Sequence, residues 1–137
     1  MPLLILLGLL TYSTLPTFIG VDPRVASYVQ EIEVLSNGNL GTSVRGIGLI
    51  TFADSNVLGR CRPLWKEIQL SETYWNNSGH KERIILLAHE IAHCEKRIGH
   101  INGQYKGCPN HFMSSHDGGF FCNNKYWYKY IKQMKEL

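Results

Sequence analysis

Apolar residues recur along this chain in two rhythms, and the changes between them divide it into elements. From Asp22 the rhythm is helical: Val25, Tyr28, Val29, Ile32 and Leu35 return every three or four residues, behind an Asp22-Pro23 pair suited to an N-cap and first turn, until Asn37-Gly38-Asn39 stops them. In GIGLITFAD, Gly46 to Asp54, the period becomes two. Ile47, Leu49 and Thr51 alternate with Gly48, Ile50 and Phe52, which predicts a strand covered on both faces. WKEIQLSETYW, Trp65 to Trp75, alternates more sharply, with Ile68 and Leu70 set against Glu67, Gln69 and Ser71, and predicts a half-exposed or edge strand. After the breaker Asn76-Asn77-Ser78-Gly79, KERIILLAHEIAHCEKR returns to helical spacing with Lys96 and Arg97 in its last turn, where the helix dipole favours cations. A final amphipathic helix is predicted over Asn123 to Leu137, with Tyr126, Tyr130, Ile131 and Met134 on one side; the run Tyr126, Trp127, Tyr128, Tyr130 reads as packing of that helix. Helices before and after a group of strands make an α+β domain, continuous from about Val21 to Leu137.

The 137 residues, 44% hydrophobic and 18% charged, suffice for one core and are too few for two comfortable domains. The net charge of +3 is spread along the chain without a basic block, so no nucleic-acid partner is expected. Residues 1–20 stand apart. The first nineteen carry no charge, and Pro2 to Leu10 form an apolar run of the length of a secretory h-region, although no Lys or Arg precedes it and Thr11-Tyr12-Ser13 is a poor cleavage site. The expectation is a signal peptide, or an uncleaved anchor as the one route to a membrane. The protein is then secreted or periplasmic.

None of the four cysteines, Cys61, Cys94, Cys108 and Cys122, sits in a CxxC pair, which argues against a thiolate metal site and, in an exported chain, for disulfides. Cys108 and Cys122 bracket a Gly- and Asn-rich loop and are the expected pair; Cys61 and Cys94 are left as a second pair or as thiols. Asn76-Asn77-Ser78 fits a glycosylation sequon, of consequence only in a eukaryotic secretory host.

AHEIAHCEKRIGH, Ala88 to His100, puts three histidines and a glutamate into thirteen residues. Four residues apart on a helix, His89 and His93 lie one turn above another, so two imidazoles can reach one metal ion at ~2.0–2.1 Å. Glu90 is turned about 100° from His89 and lies beside such an ion, where a carboxylate can act as a general base. The neighbours Ile84, Ile85, Leu87, Ala88, Ile91 and Ala92 are apolar, so these polar groups fall on a largely buried helix and need partners. A catalytic zinc takes three protein ligands and keeps one position open. His100 is the best third ligand. On an unbroken helix it would lie roughly 10.5 Å beyond His93, so the helix must end and the chain fold back, with Gly99 the obvious turn residue.

HEIAHCEKRIGH resembles the zinc signature of a compact metzincin-like branch of the zincin metallopeptidases, in which HExxHC is followed by a third histidine seven residues after the second. The resemblance covers roughly Gly46 to Ser115. It implies a zincin-like fold, a small mixed sheet packed on the active-site helix, and a Met-turn below the metal, for which Met113 is the candidate. It also implies His89, His93 and His100 as zinc ligands in preference to His111 and His116, and Glu90 as general base towards a zinc-activated water. Glu95 points off the metal face, and between Asn102 and Asn124 only Asp117 offers a carboxylate in its place. In the usual pattern, HExxHxxGxxH, glycine follows the second histidine by three residues. Here Lys96 holds that position and the third histidine comes one residue later, so the bend must fall on Arg97 in a strained conformation or on Gly99. The implied activity is a zinc-dependent endopeptidase acting on peptide or protein, with Lys66 to Ser71 pairing extended substrate by β-augmentation. The alternative is a zinc-stapled binding or cell-wall-associated module that cleaves nothing.

Overall fold

The computed structural model describes residue 18 and residues 20–137; the expected leader, residues 1–20, lies almost entirely outside them. Asp22 caps the first helix, α1 (Pro23–Leu35), its carboxylate accepting from the Arg24 amide at 2.8 Å with Pro23 at the first turn. The helix closes as Asn37-Gly38 foretells, the Gly38 amide reaching back to the Glu33 carbonyl at 2.7 Å. Three strands follow, β1 (Gly46–Ile50), β2 (Gly59–Arg62) and β3 (Glu67–Ser71), then a short helix α2 (Glu72–Asn77) and the long helix α3 (His80–Lys96). A two-stranded ribbon, β4 (Gln104–Tyr105) with β5 (Cys108–Pro109), and helices α4 (Gly119–Lys125) and α5 (Trp127–Lys135) complete the chain. The architecture is α+β, as expected.

The order of the three-stranded sheet is β1-β3-β2, with β1 parallel and β2 antiparallel to β3. This corrects two expectations. β3 is the central strand, not an edge, and it ends at Ser71, which caps α2 through its hydroxyl, so Tyr74 and Trp75 are helical. The alternation in EIQLS is real. Its polar face is nevertheless buried, because Phe18 covers it and the polar groups answer one another. Glu67 is fully buried, receives the Phe18 amide at 3.3 Å and the Gln69 side-chain amide at 3.2 Å, and pairs with Arg62 at 3.5 Å; Arg60 in turn donates to Gln69. Gly48 belongs to the same cover, since a Cβ there would collide with the Phe18 ring. The other face, with Ile68 and Leu70, turns towards α3 and the core.

β1 is covered as expected but stops at Ile50, and residues 20–22 run along its outer side through the Asp22 amide–Ile47 carbonyl bond at 2.9 Å. Among the described residues β2 has no outer strand partner and forms an edge of the sheet. The last helix starts earlier than its apolar spacing suggests and is jointed at Tyr126, where φ is −109°. Tyr130, Ile131 and Met134 enter the core, while Tyr128 is exposed.

All four cysteines are paired, Cys108 with Cys122 and Cys61 with Cys94. The first clips β5 to α4; the second clips β2 to α3, one residue after His93. Two disulfides fit an oxidising compartment. Among the described residues no helix is long and apolar enough to cross a membrane.

Candidate metal centre

α3 is the central element of the domain, packed against β2, β3, α1, α4 and α5. Its first turn is fastened by Glu82, whose carboxylate accepts the Gly79 amide at 3.2 Å, and its apolar side is fully buried through Ile84, Leu87, Ala88, Ile91 and Ala92. A helix held on so many sides presents His89 and His93 from a rigid support. The two rings are one turn apart, with centroids at 4.6 Å and their Nε2 atoms at 3.0 Å.

The other ring nitrogens settle which nitrogen carries the proton. His89 Nδ1 lies 3.0 Å from the Phe112 carbonyl oxygen and His93 Nδ1 lies 2.6 Å from that of Ile98. A carbonyl can only accept, so each Nδ1–H donates and each Nε2 is left with a bare lone pair. Two lone pairs facing each other at 3.0 Å need a positive charge between them. A proton is a poor candidate at neutral pH, because burial, reinforced by the neighbouring imidazoles, depresses the His89 imidazole to about 4. A metal ion fits: two nitrogens bound tetrahedrally at ~2.0–2.1 Å lie about 3.3 Å apart, and backbone carbonyls on the remote nitrogens are the usual support of histidine ligands.

His100 completes the set. Its ring centroid lies 5.2 Å from that of His89 and 4.9 Å from that of His93, and one nitrogen from each of the three rings falls within 4.8 Å of the others. The helix does end before it. Arg97 takes the left-handed conformation, φ 53° and ψ 36°, and the chain turns back; Gly99 is not in that region, so of the two expected bends the one at Arg97 is observed. His100 itself is exposed, and burial together with His93 lowers its pKa.

Glu90 lies beside the triad, 4% exposed, with Oε1 at 3.8 Å from His89 Nε2 and Oε2 without any hydrogen-bond partner. Burial raises its carboxyl to about 8. Gly59 on β2 admits it: a Cβ there would stand 3.0 Å from Glu90 Cγ and 3.2 Å from Leu70 Cδ2. Nothing in the apolar pattern marked Gly59, since GRCR lacks the alternation that announces a strand.

His111 and His116 do not join the triad. His111 Nδ1 accepts the Met113 amide at 3.0 Å, and both histidines line a cavity of about 430 Å³ that opens from His89, Glu90 and His100. Across this cavity the Tyr74 hydroxyl donates to Asp117 at 2.9 Å, and burial holds the phenol well above its usual range. Asp117 is thereby committed elsewhere. Glu95 points away as expected, accepting the Gly41 amide at 2.5 Å. A second cleft of about 590 Å³, bordered by Gly59, His93, Arg97 and His100, meets the first at Glu90, so a groove passes the triad along β2. Met113 is fully buried in a tight turn, the Ser114 amide bonding the His111 carbonyl at 3.1 Å.

Comparison with protein-family models, curated proteins and solved structures found no match to this chain. What the site can do therefore follows from its own donor atoms: three convergent imidazoles able to hold a divalent ion, and one buried carboxyl beside them with an oxygen to spare.

Proposed function

We propose that this protein is an exported zinc-dependent endopeptidase of metzincin-like type, with His89, His93 and His100 as ligands and Glu90 as general base. The observation that carries the reading is the combination of Nε2 atoms freed by carbonyl-bound Nδ1–H groups with Glu90 Oε2, buried and unpartnered, at their side. A structural zinc site is closed by four protein ligands and has no use for such a carboxylate. When bound, zinc would supply a Lewis acid that polarises the scissile carbonyl and acidifies water.

The chain's own groups do the rest. Glu90 accepts a proton from the attacking water and passes it to the leaving amine; burial makes its carboxylate a stronger base than usual, and a divalent ion held by the three imidazoles would favour the ionised form that the first step needs. The cavity that opens from His89, Glu90 and His100, walled by Tyr74, Ser114 and His116, is the space in which the substrate would lie. Substrate cannot pair with Lys66–Ser71, whose strand is central. β2, the strand beside it at the edge of the three-stranded sheet, takes that role, since Gly59 lines both clefts and Arg60 and Cys61 line the second, where an extended peptide would run past Glu90.

A diverse peptide library tests the reading. The zinc-loaded chain should cut internal bonds, stop when chelated and resume when zinc is returned. Zinc binding with no cleavage of any peptide would leave the zinc-stapled binding module instead.

A further inference from the structure

We propose that Asn102 is the positioning residue that holds the third ligand of the centre in place; this rests on the triad being a metal site. His89 and His93 are fixed by their helix, whereas His100 lies past its end on exposed chain and needs another support. Residues 100–103 form a strap laid against residues 110–115. The Ile101 amide bonds the Met113 carbonyl and the Asn110 amide bonds the Gly103 carbonyl, each at 2.9 Å, so the two backbone ties flank Asn102. Between them Asn102 Oδ1 accepts three donors: the Ser115 amide at 2.8 Å, the Ser115 hydroxyl at 2.9 Å and the Ser114 hydroxyl at 3.4 Å.

The segment that Asn102 grips is the one that orients His89, through the Phe112 carbonyl at 3.0 Å. The turn around Met113 is thus a shared mount, bonded to a ligand of the helix on one side and, through the strap, to the ligand beyond the helix on the other. Three donors converge on one oxygen, so the position requires an acceptor of this length. Aspartate supplies one; alanine leaves the Ser115 amide and both hydroxyls to water and lets the strap swing. Because the strap is exposed, the damage is expected at the ligand and not in the core.

The test uses the full disulfide-bonded chain as parent, Asn102→Ala and Asn102→Asp, stripped of metal. Zinc affinity is read by competition with a chromophoric chelator, coordination by the visible spectrum of bound Co²⁺, and fold by thermal unfolding of the metal-free proteins. Asn102→Ala should weaken zinc binding by about 10- to 100-fold and alter the cobalt spectrum while metal-free unfolding stays as in the parent. Asn102→Asp should restore most of the affinity and the parental spectrum. If Asn102→Ala binds zinc as the parent does, or if both variants lose affinity in step with a loss of metal-free stability, Asn102 does not position the ligand. A parent that binds neither zinc nor cobalt overturns the metal site and this role together.

Discussion

Replacing Glu90 by glutamine in metal-free protein should abolish a fall in stability between about pH 6.5 and 8. Burial lifts the Glu90 carboxyl from 4.5 to about 8, so in this range the folded protein keeps a proton that the unfolded chain has released. The folded state binds one proton more, and stability must decrease as pH rises, by ~1.4 kcal/mol per unit or about 2 kcal/mol over the window. Below pH 6.5 His89 acts in the opposite sense: its imidazole is depressed from 6.5 to about 4, the unfolded chain takes up a proton that the folded one refuses, and stability rises with pH. His100, also lowered, adds to that rise. His111, lowered by burial and by Lys129, adds to it as well, so between 4.5 and 6.5 the histidines oppose the Glu90 slope, and the window above 6.5 is left to Glu90. Glutamine has nearly the same shape and no titration. Urea unfolding of both proteins in chelator, followed by circular dichroism at several pH values, reads the difference directly. A parent whose stability is flat from pH 6.5 to 8, or a Glu90→Gln protein that falls just as steeply, would refute the buried, unpartnered carboxyl.

Arg97→Gly should raise the thermal stability of the metal-free protein by roughly 1 kcal/mol, because glycine enters the left-handed region without the Cβ penalty that arginine bears there; an unchanged or lower unfolding temperature contradicts it. Gly59→Ala should cost about 1–3 kcal/mol and depress any hydrolysis, since the added methyl presses on Glu90 Cγ and Leu70, and a variant as stable and active as the parent would show the contact to be slack. Replacing both Cys108 and Cys122 by serine should cost ~3 kcal/mol on the entropy of the loop that they close, measured by urea unfolding.

The parts legible from sequence were those in which one local rule suffices. Asp22-Pro23 and Asn37-Gly38 bound α1 because capping and turn chemistry are local, and His89 and His93 share a face because helical spacing dictates it. The third histidine needed two steps, the distance argument that ends the helix and the turn that follows, and both hold, with the bend at Arg97 in place of Gly99. What could not be read depends on partners far along the chain. The alternation of Glu67, Ile68, Gln69 and Leu70 looks alike in an edge strand and in a central strand whose polar face is buried under Phe18 and answered by Arg60 and Arg62. β2 escaped notice because a glycine, two arginines and a disulfide cysteine make no hydrophobic pattern. Asn102 carries no motif at all; only the folded chain brings its side chain to Ser114 and Ser115.

The most direct measurement is the rate of peptide hydrolysis by the zinc-loaded parent and by zinc-loaded Glu90→Gln at equal, measured zinc content. Both should hold about one zinc per chain, and the glutamine protein should cleave at least ~10²-fold more slowly, the low end for loss of a general base. Equal rates in the two proteins, or a parent that takes up no zinc, would contradict the account.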